Sequence, residues 1–110
     1  MSVVVVVTAL PLPERREQVV VAFEAAIARV HDDPGVEPYA LHEGRDRLVM
    51  IEKCDSEQAR SEHLKGAALA DLRAALDSTL STGLEAQVLT PHPAGSAQRG
   101  NAMTRPGEST

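Results

Sequence analysis

Two side chains of this sequence are candidates for acid–base chemistry. Glu52 lies in an apolar run from Leu48 to Cys54, where a carboxyl group is either paired or held at a raised pKa. His63 follows in the next segment, and an imidazole that titrates near neutral pH can accept a substrate proton or hold an anionic oxygen. We therefore expect both to be catalytic, with Glu52 as a base or as the group that orients His63. The alternatives are a structural His63 bonded to the sheet and a Glu52 ion-paired across a subunit interface.

Two further side chains have reactive groups but also common structural roles. Tyr39 is one of two aromatic residues, one Tyr and one Phe, and its hydroxyl can face a ligand, although packing at a subunit interface is the commoner role. Cys54 is a reactive thiol only if a helix N-terminus after it lowers its pKa, and buried free cysteines are more often inert. The 4 histidines show no metal-ligand spacing, so we predict no metal site.

Composition narrows the class of protein. A chain of 110 residues holds one domain with a modest core. The net charge of −5, with no Lys/Arg cluster, disfavours a nucleic-acid partner. A single cysteine excludes an intrachain disulfide and fits a reducing compartment. The valine run at residues 3–7 is too short for a membrane span and lacks signal-peptide flanks, so we expect a cytoplasmic protein without a membrane partner.

Spacing of apolar residues predicts the elements that position these side chains. Strands are predicted over Val3 to Thr8, Val36 to Glu43, Leu48 to Cys54 and Leu84 to Leu89. Helices are predicted over residues 14–31, 56–64 and 67–80, the last two separated by Gly66. The first and third strands are apolar on both faces, which is typical of central strands. Pro38 makes the second strand an edge strand, because proline cannot donate a ladder hydrogen bond.

This order, β-α-β-β-α-β, predicts an α+β ferredoxin-like fold with a four-stranded antiparallel sheet. Helices on one face leave the other face apolar, and the simplest cover for it is a second copy related by a two-fold axis. We therefore expect a homodimer. The folded domain is predicted over residues 1–90. Residues 91–110 are rich in Pro, Gly and Ser and are predicted to form a flexible C-terminal tail.

The order of these segments resembles that of the antibiotic biosynthesis monooxygenase (ABM) family. The stretch from Asp33 to His42 is similar to the family's "PGcl.Y.lh" pattern. The stretch from Leu48 to Leu64 is similar to its "fvl.E.w.s.ea...H" pattern. The resemblance covers roughly residues 3–90.

The resemblance implies a dimeric α/β barrel with a small apolar pocket between the sheet and helices of each subunit. Some relatives oxygenate polycyclic aromatic substrates with no metal, flavin or other cofactor, while others isomerise small metabolites or degrade haem. We expect the pocket of this chain to be lined by Phe23, Tyr39, Met50, Cys54 and Leu69. Cys54 stands where the family usually has an aromatic residue, often Trp, and Leu69 near a common Phe. Haem breakdown is not expected, since the strand-one Asn and pocket Trp of that branch are absent.

Three functional hypotheses follow. The first is a cofactor-independent monooxygenase for a small phenolic or enolic, polyketide-like substrate. An apolar pocket would strip water from this substrate, and His63 would stabilise the anion that reacts with oxygen. The alternative is a non-oxidative small-molecule-binding or isomerase barrel, which the scarcity of aromatic residues and Cys54 favour. The third is a structural dimer whose pocket is filled by its own side chains.

Overall fold

The computed structural model describes residues 2–32, 35–96 and 99–100, apart from the side chain of residue 37. The described elements are β1 (Val3–Ala9), α1 (Arg16–Val30), β2 (Val36–Glu43), β3 (Leu48–Cys54), α2 (Glu57–Leu64), α3 (Ala67–Ala75) and β4 (Glu85–Leu89). A 3-10 turn, Pro13–Arg15, leads into α1. The predicted ferredoxin-like α+β fold is confirmed, and β2 and β3 have the predicted bounds.

The sheet has the strand order β2-β3-β1-β4, and all neighbouring strands are antiparallel. The predicted placement of β1 and β3 at the centre and of β2 and β4 at the edges is confirmed. Pro38 is accommodated because β2 is an edge strand. The register of β2 against β3 shifts between Val36 and Tyr39, the stretch that contains this proline.

Cross-strand register decides which side chains face the helices. Tyr39, Glu52, Val5 and Val88 form one row across the four strands. Because side chains alternate along a strand, residues two positions away, such as Met50, lie on the same face. The core packed between this face and the helices includes Ala9, Val19, Phe23, Ala26, Val30, Val36, Tyr39, Leu48, Met50, Cys54, Leu72 and Leu76.

The opposite face of the sheet also carries apolar side chains. Val4, Val6 and Ile51 alternate with the residues that face the helices and are only partly buried. Leu89, paired with Val4, is 47% exposed. The apolar character predicted for both faces of β1 and β3 is therefore present in the structure, with one face covered better than the other.

The helix predicted over residues 67–80 is wrong in its last part, because α3 ends at Ala75. The chain then turns, with a positive φ of 63° at Ser78. The hydroxyl of Thr79 donates a hydrogen bond of 2.6 Å to the Leu76 carbonyl oxygen. This turn brings Leu80 into an isolated bridge with Pro11, a long-range contact that helical spacing of leucines cannot reveal.

The structure bears on two predictions made for the whole chain, the absence of a membrane span and the C-terminal tail. Within the described residues, no helix is long and apolar enough to cross a membrane. Much of the predicted tail, residues 97–98 and 101–110, lies outside the described residues, so the domain boundary at 90 stays a prediction.

The N-cap of α2 gives a direct test of this architecture, because α2 carries His63. The Ser56 hydroxyl oxygen accepts a hydrogen bond of 3.1 Å from the Ala59 backbone N–H. We expect Ser56→Ala to lower the free energy of unfolding by about 1 kcal/mol in urea titrations. Ser61→Ala, an exposed position inside the same helix, is the matched control and should cause no loss. Equal losses for the two variants would contradict this role of Ser56.

Candidate functional site

A cavity of about 320 Å³ lies between the helices and the sheet, and all four strands contribute to its lining. Small-molecule sites usually have volumes of about 300–1,000 Å³, so this one suits a small ligand. Its floor is formed by the sheet residues Val5, Val7, Met50, Ala86 and Val88. Its roof is formed by the helix residues Phe23, Leu64, Leu69 and Leu72. Polar groups enter from Tyr39, Glu52, Arg60, His63 and Arg73.

Glu52 and His63 meet in this cavity. Glu52 lies on β3 between Val5 of β1 and Tyr39 of β2, and strand alternation directs its carboxyl group toward the helices. His63 lies in the last turn of α2, which starts at its Ser56 cap. His63 Nε2 is 3.8 Å from Glu52 Oε1, and the two side chains are only 3% and 7% exposed. The structure thus brings together the two residues predicted to be catalytic.

The surroundings of this pair set its protonation. Burial raises the pKa of Glu52 from 4.5 to about 7, and the positive charge of Arg60 opposes that rise. A carboxyl group with such a pKa exchanges its proton near neutral pH, as an acid–base group must. The Tyr39 ring meets the His63 ring edge-on, with centroids 5.5 Å apart and planes at 73°, and so restricts the imidazole. The pair can therefore accept a proton from a ligand without contact with bulk water.

The structure places most of the predicted lining residues in the cavity wall. Phe23, Tyr39, Met50 and Leu69 all line it. Tyr39 and Glu52 face the helical side of the sheet, and both line the cavity.

Cys54 is the exception, and its predicted place in the lining needs correction. It lies at the end of β3, paired with Val3 and Val36, and is fully buried in the core. Burial, followed by the charge of Glu52, raises the pKa of its thiol to about 11. The thiol therefore stays protonated at neutral pH, which agrees with the inert alternative rather than with a nucleophile.

Sequence reasoning missed two lining residues, Arg60 and Arg73. Arg60 lies three positions before His63 on α2, and Arg73 lies four positions after Leu69 on α3. Residues spaced by three or four positions share one helix face, so this spacing was a usable signal. Neither arginine was among the predicted lining residues.

A second, larger depression of about 850 Å³ runs between α1 and the β2 edge. Glu24, His31 and Glu43 in its lining are exposed to solvent, and the buried Tyr39 borders it as well as the smaller cavity. It therefore lacks the buried pair that distinguishes the smaller cavity. In the part of the chain that the structure describes, no group of three or more His, Cys, Asp or Glu could hold a metal ion.

Comparison with known proteins identifies solved structures that share this fold. No protein-family model matches this sequence, and no curated protein matches it. Among solved structures, Rv0793 from Mycobacterium tuberculosis is 26% identical with a TM-score of 0.81, over 87% of this chain and 100% of that one. A protein from Caulobacter crescentus, provisionally named an antibiotic biosynthesis monooxygenase, is 21% identical with a TM-score of 0.76, over 80% of this chain and 87% of that one. One from Nitrosomonas europaea with the same provisional name is 14% identical with a TM-score of 0.76, over 80% and 96%.

The chain is therefore an α+β protein with the ferredoxin-like fold of the dimeric α/β-barrel structures. More particularly, several of its structural neighbours are named as antibiotic biosynthesis monooxygenases, so the predicted resemblance to ABM structures is confirmed in the fold.

The raised pKa of Glu52 predicts a pH dependence of stability. Below pH 4.5 the group is protonated in the folded and the unfolded chain, so its charge costs nothing. As the pH rises to about 7, only the folded chain must bury that charge, and the free energy of unfolding falls. In urea titrations, the stability of Glu52→Gln relative to the unmodified protein should increase by about 3 kcal/mol as the pH rises from about 4 to about 8.

Glu62→Gln is the matched control, because Glu62 is exposed on α2. Its stability should follow that of the unmodified protein across the same pH range. If the Glu52→Gln curve also runs parallel to that of the unmodified protein, the carboxyl group of Glu52 is not titrating as described.

Proposed function

We propose that this protein is a cofactor-independent monooxygenase that acts on a small phenolic or enolic substrate in the 320 Å³ cavity. The observation that carries the proposal is the buried Glu52–His63 pair, with 3.8 Å between its closest polar atoms, in a cavity whose floor and roof are apolar. The names of several structures with the same fold suggest oxygen chemistry. Because one fold can host many functions, the proposal depends on the Glu52–His63 pair.

The first step is a proton transfer. The O–H proton of the bound phenol or enol passes to the Glu52–His63 pair, and the electron pair stays on the substrate. The pKa of about 7 for Glu52 lets the pair accept this proton near neutral pH. A protonated His63 then lies beside the substrate anion and stabilises it electrostatically. The apolar floor keeps water away, so the anion remains electron-rich.

The second step joins the substrate to oxygen. The substrate anion transfers electrons to O₂ and forms a C–O bond, which gives a hydroperoxide once a proton is taken up. Loss of water then breaks the O–O bond and removes the remaining C–H proton, leaving a carbonyl group. One oxygen atom enters the product and the other leaves as water, so the substrate supplies all the electrons.

Oxygen uptake tests this proposal. In metal-free buffer, the protein should accelerate O₂ consumption by anthrone, a neutral probe whose enol form is a phenol. We expect His63→Ala to lower the rate by about 100-fold or more, because a proton acceptor is lost. His63→Gln is a second variant of similar size, and circular dichroism checks that both are folded. The control is His92→Ala, at an exposed position outside the cavity.

Two outcomes contradict the monooxygenase. One is an uptake rate no higher than that of anthrone alone. The other is an unchanged rate in both His63 variants, which would remove this residue from the reaction.

A non-oxidative isomerase or binding barrel is the second candidate, and the same pair favours it. Glu52 and His63 can move a proton between two atoms of a bound enol without oxygen. Ligand-dependent thermal stabilisation with no oxygen uptake would support this candidate over the first. An open cavity of about 320 Å³ gives no support to the third hypothesis, that of a pocket filled by its own side chains.

We also propose that the protein is a homodimer that pairs through the open face of its sheet. Val4, Val6, Ile51 and Leu89 lie on this face, away from the cavity, and surround the buried Lys53, which pairs with Val4. Apolar side chains on an open sheet face are usually covered in solution, and a two-fold axis lets the same face cover itself. The pairing leaves the cavity of each subunit on the outer side.

A charge on this face should separate the subunits. We expect Ile51→Glu to be a folded monomer at micromolar concentration, while the unmodified protein sediments as a dimer. Val21→Glu is the matched control, because Val21 is 58% exposed on α1, and it should remain dimeric. A monomeric unmodified protein, or a dimeric Ile51→Glu, would contradict this interface.

A further inference from the structure

Two guanidinium groups border the cavity beside the Glu52–His63 pair. Arg60 reaches it from α2 and Arg73 from α3. Arg60 Nη1 lies 3.3 Å from Glu57 Oε1, but that carboxylate is 62% exposed, and exposed ion pairs of this kind are weak. Arg73 has no ion pair with any residue that the structure describes. Both positive charges are therefore available to a bound group.

The charges around the cavity do not balance. Within the described residues, Glu52 is the only acidic member of the lining, against two arginines. Its raised pKa leaves it partly protonated near neutral pH, so it offsets the arginines only in part. The chain as a whole has a net charge of −5. The positive charge at the cavity therefore comes from the placement of these two arginines and not from the overall composition.

The rim of the cavity is apolar between these charges. Leu64 and Val88 line the cavity and are 41% and 47% exposed, although both are large hydrophobic residues. A ligand with an apolar body would cover them, and its charged group would meet the arginines. This combination selects a ligand that is apolar at one end and anionic at the other.

We propose that the ligand of this cavity is a small apolar acid, in which a carboxylate bound by Arg60 and Arg73 accompanies the phenol or enol that faces Glu52 and His63. The phenol or enol part rests on the proposed function, whereas the carboxylate part stands on the two arginines. A guanidinium group matches a carboxylate through two parallel N–H···O hydrogen bonds. A singly charged carboxylate also costs less to bring into an apolar cavity than a doubly charged phosphate.

Binding of a matched pair of phenols tests the proposal. Salicylate carries a carboxylate beside its phenol, and salicylamide carries a neutral amide at the same position. We expect isothermal titration to give a Kd for salicylate that is at least about tenfold lower than that for salicylamide. Arg60→Gln and Arg73→Gln should each raise the Kd of salicylate by about tenfold relative to that of salicylamide. Added salt should weaken salicylate binding alone.

Arg15→Gln is the control, because it removes the same charge from an exposed position outside the cavity. It should leave both dissociation constants unchanged. The proposal is overturned if salicylate does not bind, if the two phenols bind equally, or if both cavity variants leave the Kd of salicylate within about twofold of the original.

The outcome is separable from that of the oxygen experiment. Salicylate binding that depends on the arginines, together with no anthrone oxidation, would remove the monooxygenase and keep the acid-binding site. Anthrone oxidation that salicylate does not inhibit would keep the monooxygenase and overturn the acid-binding site.

Discussion

A carboxyl group on a central strand, directed into an apolar layer, is the constraint around which this molecule is organised. Glu52 is 5% exposed, and water cannot solvate its charge at that depth. A buried charge without compensation costs several kcal/mol, so such a group takes up a proton or acquires a partner. Here both occur in part, because the pKa rises to about 7 and His63 lies at 3.8 Å. Glu52 can therefore gain or lose a proton near neutral pH, which gives the cavity a property that packing alone does not require.

The positions of Glu52 and His63 are fixed by strand pairing, a helix cap and close backbone contacts. The antiparallel register fixes Glu52 between β1 and β2, and the Ser56 cap fixes where α2 begins. Gly35 lets the helix lie close to the start of β2, since a Cβ atom there would stand 3.0 Å from Cβ of Ala59 and its φ of +79° suits glycine. The Asp55 backbone N–H donates a 2.7 Å hydrogen bond to the Gly35 carbonyl oxygen and joins the same two segments. His63 lies two turns further along α2, so its distance from Glu52 depends on each of these contacts.

Local patterns in the sequence were enough to predict β2, β3 and the start of α2, and the order of the elements then predicted the sheet order through the ferredoxin-like topology. They work because alternation along a strand and the position of a cap are local properties. The end of α3 was not predictable in this way, because the bridge between Pro11 and Leu80 joins distant parts of the chain. Cys54 was misplaced for a related reason: it shares a sheet face with Glu52, but the cavity stops one residue pair earlier along β3. Arg60 and Arg73 were overlooked because a long side chain on a polar helix surface can still reach a cavity at its edge.

The two apolar faces of β1 and β3 explain how one small sheet can support two separate surfaces. Ile51 and Glu52 are neighbours in sequence, yet alternation directs one to the open face and the other to the cavity. A substitution at either position therefore acts mainly on one surface, so association and ligand binding can change independently along the same strand. As a consequence, both faces of the two central strands carry mainly apolar side chains. The polar groups that the cavity needs must then enter from elsewhere, and they do so as one carboxyl group on β3, one phenol on β2 and three basic side chains on α2 and α3.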